Sequence, residues 1–134
     1  MIASLGGAPF LLQLPTAQYV PAHQFLVTRF DPFMPISFCI GLIADLILAS
    51  AGDSTAAAKG LTSTAAVLLI LALVVSVTKN VPINRWVSRL DPGSLPDDFA
   101  QIDPRVRWRN WNLIRTALAV AALLANVATV GAVL

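Results

Sequence analysis

The sequence predicts an all-α fold: a membrane-embedded four-helix bundle with a truncated first helix and a short interfacial amphipathic helix. Composition carries most of this. Hydrophobic residues make up 57% of the 134-residue chain and charged residues 12%, against about 25% charged in an average soluble domain. Mean hydropathy is +0.75. A chain of this length is a single domain, 1–134, with more apolar surface than a water-excluded core of that size requires. The apolar residues also fall in long runs, which decides for the bilayer.

The first stretch, Ile2 to Leu14, would reach only about 20 Å as a helix, against a hydrocarbon core of about 30 Å, and Pro9 interrupts it. No basic residue precedes Arg29, so it is not a secretory signal. It reads as the distal part of a first span whose start lies upstream of Met1. Pro35 to Ser50 would span about 24 Å and carries one charge, Asp45. Leu61 to Thr78 carries no charge and would span about 27 Å. Leu113 to Leu134 would span about 33 Å. Helices are therefore expected near 35–50, 61–80 and 104–133.

Alternating spans place the connections Pro15 to Met34 and Lys79 to Asn112 on one side, and Ala51 to Gly60 on the other. The first side holds Arg29, Lys79, Arg85, Arg89, Arg105, Arg107 and Arg109; the second holds Lys59. The positive-inside rule then assigns a multi-pass cell-membrane protein with its long basic loop cytoplasmic and its C-terminus extracytoplasmic.

That long loop has elements of its own. Val81 precedes Pro82 and is biased away from helix, so the third span should stop or kink there. Pro82 also suits the first position of a new helix. Ile83, Trp86, Val87 and Leu90 then recur at helical spacing, opposite Arg85 and Arg89, predicting a helix near 82–90 on the membrane surface. Asp91-Pro92-Gly93-Ser94 ends it as a turn, and Asp103 with Pro104 starts the last helix. On that helix Trp108, Trp111, Asn112 and Arg115 form one stripe, which Ala119, Ala122 and Asn126 extend into the membrane. A second helix segment begins near Pro21 and aligns His23 with Leu26, Val27 and Phe30.

Several chemistries are excluded. One histidine and one cysteine with no glutamate do not assemble a zinc or di-iron site in one chain, so no metal is expected. No glycine loop cradles a phosphate; Gly6-Gly7 lies in an apolar stretch and reads as close packing. No Ser-His-Asp arrangement stands out. A net charge of +2 without a basic, aromatic-rich patch gives no nucleic-acid surface.

The segments Asn80-Val81-Pro82-Ile83-Asn84 and Trp108-Arg109-Asn110-Trp111-Asn112-Leu113-Ile114-Arg115 together resemble the anthrone oxygenase-like membrane proteins. The resemblance runs from Gly6-Gly7 to the C-terminus. It implies a four-helix membrane protein and, by analogy with members in polyketide pathways, a monooxygenase that converts an anthrone to a quinone with O2, without metal or flavin. An oxidoreductase of this kind takes a flat aromatic substrate from the lipid bilayer and requires no cofactor. Its substrate supplies the electrons once a base removes a methylene proton. The protein supplies the base, oxyanion donors and a dry slot.

On these residues Asn80, Asn112 and Arg115 are candidate oxyanion donors. Asn84, Trp108 and Trp111 are candidate substrate contacts, and His23 and Asp45 are the candidate bases. An unperturbed imidazole, with a pKa of about 6.5, suits the task. Each residue also has a plainer role open to it. Trp86 and Trp108 suit interfacial anchors, Arg115 suits a snorkelling cation, and Asn80 and Asn84 suit helix caps. Cys39 reads as packing. Asp45 is expected to face the bundle interior, with Asn126 as its partner, because lipid exposure of a charge is expensive. The second function class is a non-catalytic multi-pass protein, a subunit or scaffold whose polar stripe binds a partner helix or lipid; an oligomer is compatible with both.

Overall fold

The computed structural model describes residues 6–30, 33–50 and 55–133, and among these all regular structure is helical. In chain order the helices are α1 (Ala8–Gln13), α2 (Thr16–Phe30), α3 (Phe33–Ser50) and α4 (Ala56–Val75). After a π-helical turn at Ser76–Asn80 follow α5 (Val81–Val87), α6 (Phe99–Ile102) and α7 (Arg105–Val133). Three stretches are long and apolar enough to cross a membrane: Thr16–Ser50, Ala56–Val87 and Phe99–Ala132. The protein is a helical membrane protein. Ile36, Ile40, Ile43 and Ile47 on α3, with Leu123, Leu124, Val127 and Val130 on α7, all stand exposed. So continuous an apolar exterior fits a lipid surface. Cys39 is also exposed on α3, so the expectation that it packs inside does not hold.

α4 is the central rod, packing against both α3 and α7. Its inner face is built of small residues, Ala65, Ala66 and Ala72, with Ala122 of α7 in the same cluster. Small side chains let helix backbones approach where no hydrophobic effect drives association. Gly41 serves the α3–α4 contact in the same way, since a Cβ there would lie 3.1 Å from Leu69 Cδ1.

Three expectations need correction. The helix at 16–30 begins at Thr16, where Pro15 O accepts the Gln18 and Tyr19 N–H groups, and it carries Pro21 inside it. The segment read as a loop with a helix from Pro21 is helical from Thr16 to Phe30. The third span also does not stop at Pro82. A proline ring clashes with the carbonyl four residues back, and the π turn relieves this by inserting one residue, the Val81 N–H reaching back to Ser76 O. The rod then continues into α5. Finally, α5 is not laid on the membrane surface: Ile83 and Val87 are buried against Ala8, Leu11, Tyr19, Val20, Phe99 and Trp108. It ends at Val87, short of Leu90.

The fragmentary first helix is present as α1, packed on α2 and α7; residues 1–5 of that stretch and 51–54 of the Ala51 to Gly60 connection lie outside the described residues. Arg105 holds α1 in place. Its guanidinium donates to Leu14 O at 2.6 Å, satisfying a carbonyl at the helix C-terminus, and lies 4.9 Å above the Tyr19 ring. Asp103 orients it, accepting from Arg105 Nε at 2.7 Å while capping the Arg105 N–H at 2.9 Å. A hydrogen bond to a charged group contributes about 1.5–3 kcal/mol. Arg105→Ala is therefore expected to raise amide exchange across residues 8–14 by about tenfold or more, with α4 unchanged; equal exchange in both proteins would contradict this role.

Candidate functional site

The π turn decides which side chains meet. In an uninterrupted α-helix Ser76 and Asn84 would point about 80° apart; absorbing one residue brings them within about 20°. Ser76, Asn80 and Asn84 consequently share one face, and all three are buried. That face meets the Trp108, Asn112 and Arg115 stripe of α7, running antiparallel.

At the lower end of this contact Asn84 Oδ1 accepts two hydrogen bonds, from Trp108 Nε1 at 2.7 Å and from His23 Nε2 at 3.1 Å. An indole N–H only donates, so the Asn84 atom facing it must be the oxygen. The same oxygen then requires His23 to carry its proton on Nε2. The lone pair is left on Nδ1, where the Tyr19 hydroxyl donates at 2.8 Å. His23 is fully buried, with its ring centroid 4.7 Å from that of Trp108 and 5.3 Å from that of Tyr19.

At the upper end Arg115 donates to Asn112 Oδ1 and, at 3.4 Å, to Ser76 Oγ. Asn112 in turn donates to Trp108 O at 3.0 Å. Trp108 thus joins the two halves of one network. Asn80 sits between them, since the pairs Asn84–Trp108 and Ser76–Arg115 set a register that brings Asn80 level with Asn112. Among the described residues neither its Nδ2 nor its Oδ1 has a hydrogen-bond partner, although the residue is 1% exposed. Its side chain does not cap α5. A buried carboxamide left unsatisfied at both ends is expensive, and a donor–acceptor group of a ligand or a water would relieve it.

Two candidates lie apart. Trp111 is half-buried on the flank of α7 beneath the Lys79 ammonium, 5.1 Å from the ring centroid, and lines an open cavity of about 500 Å³ with Val106, Arg107, Asn110 and Ile114. Asp45 is buried, with Asn126 as its side-chain neighbour. Asn126 is eleven residues beyond Arg115, about 16 Å along the helix, so Asp45 does not join the His23 network.

Four participants escaped the sequence reading: Tyr19, Gln24, Ser76 and Arg105. Gln24 ties α2 to the end of α5, donating to Val87 O at 3.0 Å and Leu90 O at 2.9 Å. Tyr19 stands one helical turn before His23, a spacing that could have flagged the pair. Nothing local in the sequence marks Ser76, whose position depends on the π turn.

Fold and site together define a small multi-pass helical membrane protein with a buried polar network at one end of its bundle. The family model described as anthrone oxygenase matches residues 25–125, and the chain belongs to the anthrone oxygenase family. The match includes Asn80, Asn84, Trp108, Asn112 and Arg115, while Tyr19 and His23 precede it. No curated protein and no solved structure matches the chain.

Proposed function

We propose that the protein oxidises an anthrone-type or related phenolic polycycle to a quinone with O2, using no metal or flavin. The observation carrying this reading is the unpartnered Asn80 carboxamide beside the joined His23–Asn84–Trp108 and Asn112–Arg115–Ser76 networks. The activated methylene gives up one proton and leaves an electron-rich anion. That anion reduces O2 and forms a C–O bond; the resulting hydroperoxide loses water, leaving a ketone. Atoms balance as CH2 plus O2 giving C=O plus H2O.

The base is His23, acting through Tyr19. The Nδ1 lone pair already accepts the Tyr19 proton, so the phenolic oxygen takes the substrate proton as its own passes to the imidazole. Asn84 holds the ring and its tautomer. The Asn80 amide and Arg115 donate to the developing oxyanion, a term that is large where water is excluded. Trp108 offers a ring face for the flat substrate, while Trp111 stands apart in an open cavity on another face of α7, lined with Val106, Arg107, Asn110 and Ile114. Asp45 takes no part in these steps.

The test is O2 uptake and quinone absorbance with an anthrone and the purified protein in nanodiscs, corrected against empty discs. One O2 consumed per quinone above the spontaneous rate is expected. A rate equal to that of empty discs would reject the oxygenase.

A second reading has one observation in its favour: His23 and Asn112 have no exposed surface. A network that closed can serve as a pin for α2, α5 and α7 in a non-catalytic subunit. Loss of stability without any catalysed oxidation would select it.

For orientation, the excess of basic residues on that side supports a cytoplasmic His23 end. Cysteines introduced at Arg89 and Arg107 are expected to label from the cytoplasmic side and one at Lys59 from outside. Labelling of position 59 from the cytoplasm would invert the topology.

A further inference from the structure

A second cavity lies at the other end of the bundle, independent of the network above. It has a volume of about 460 Å³ and is lined by Gly41, Ala44, Asp45 and Leu48 of α3 and by Asn126, Thr129 and Val130 of α7. This size falls within the range of small-molecule sites, about 300–1,000 Å³. Its wall is mostly apolar, and its polar side chains are Asp45, Asn126 and Thr129. Asp45 is 3% exposed, Asn126 is its side-chain neighbour, and its Oδ2 has no hydrogen-bond partner among the described residues. Leaving such an oxygen unmet deep in a bilayer is costly, and intramembrane acids usually mark a site.

A second copy of this chain offers few donors here. Ser63 is exposed on α4 without a carbonyl of its own helix as partner among the described residues, so self-association is an outcome of the test, while most other hydroxyls are committed. The hydroxyls of Ser37, Ser50, Thr64, Thr78 and Thr129 each spend their single proton on a carbonyl of their own helix. Lipid acyl chains fill apolar volume but bring no polar group. What fits is an apolar body carrying a hydroxyl, which donates to a carboxylate and accepts from a carboxylic acid, and so matches Asp45 in either protonation state. We propose that the Asp45 cavity is a binding site for an apolar alcohol or phenol dissolved in the bilayer.

The probes are 1-naphthol and naphthalene, by equilibrium dialysis against the full chain in phosphatidylcholine nanodiscs, with empty discs subtracted. The site predicts saturable binding of 1-naphthol about tenfold or more tighter than of naphthalene. Asp45→Leu should bring the two probes to equal affinity. Leu48→Trp should block both while leaving Asp45 in place; Leu48 is exposed on α3, so this variant keeps the fold if Asp45→Leu does not. Any naphthol held at the proposed catalytic network forms a second class of sites that Arg115→Ala removes, leaving the class that Leu48→Trp blocks, which separates this site from the catalytic one. The proposal is overturned if wild type binds neither probe saturably, or if Leu48→Trp leaves naphthol binding unchanged. Loss of naphthol binding in Arg115→Ala but not in Asp45→Leu overturns it as well. So does self-association that Asp45→Leu abolishes in a chain that binds no naphthol.

Discussion

Asn84→Leu is expected to destabilise the protein more than any other single change in the polar network. The substitution removes one oxygen and strands two buried donors, Trp108 Nε1–H and His23 Nε2–H. Each unsatisfied buried donor costs about 1–3 kcal/mol, and the loss falls where α2, α5 and α7 meet. Asn84→Asp keeps an oxygen facing both donors and should retain most of the stability. Thermal unfolding in detergent checks this: a clear drop for Asn84→Leu with a much smaller one for Asn84→Asp is expected. Equal melting of the leucine variant and wild type would mean that the two donors find other partners.

The largest expected effect on activity belongs to Arg115 and Asn112. Removing one oxyanion donor from a dry site typically costs about 2.7–4 kcal/mol, or about 10²–10³ in turnover. Arg115→Ala is expected to fall in that range. Asn112→Ala should lose nearly as much, because Asn112 Oδ1 accepts from the guanidinium and so aims it. Groups that act as a unit are not additive, so the double variant should be little worse than Arg115→Ala alone. Arg89 is exposed beyond the end of α5, and Arg89→Ala should turn over at the wild-type rate. A double variant slower by the product of the single effects would show that Arg115 and Asn112 work separately.

The spans were legible because hydropathy over twenty residues is a summed signal that local details do not overturn. The same holds for the Asp45 interior position, where the cost of a lipid-facing charge leaves little choice, and for Asp103, whose side chain caps the start of α7 as its position before Pro104 suggested. What failed was phase. Reading Pro82 as a stop or kink, with separate helices near 61–80 and 82–90, put Asn80 and Asn84 on two different helices. The π turn instead runs one rod through the proline and rotates Ser76, Asn80 and Asn84 onto a common face. A one-residue insertion in a helix has no compositional signature. Tertiary contacts explain the rest: Arg105 reaches Leu14 and Tyr19 across a sequence separation that periodicity does not see, and α5 buries its apolar face on α1, α2 and α6 rather than in lipid. Trp111 shares the helical stripe of Trp108, yet its position toward the flank gives it Lys79 as a neighbour in place of His23.

The proposed chemistry depends on a single lone pair, the one that Asn84 and Trp108 leave on His23 Nδ1. The chain contains one histidine, so ¹⁵N-histidine labelling in nanodiscs yields the nitrogen spectrum of that residue alone. One neutral tautomer is predicted, with the proton on Nε2 and an unprotonated Nδ1 accepting a hydrogen bond that Tyr19→Phe removes. A proton resident on Nδ1, or two tautomers averaging as in a solvated imidazole, would contradict it.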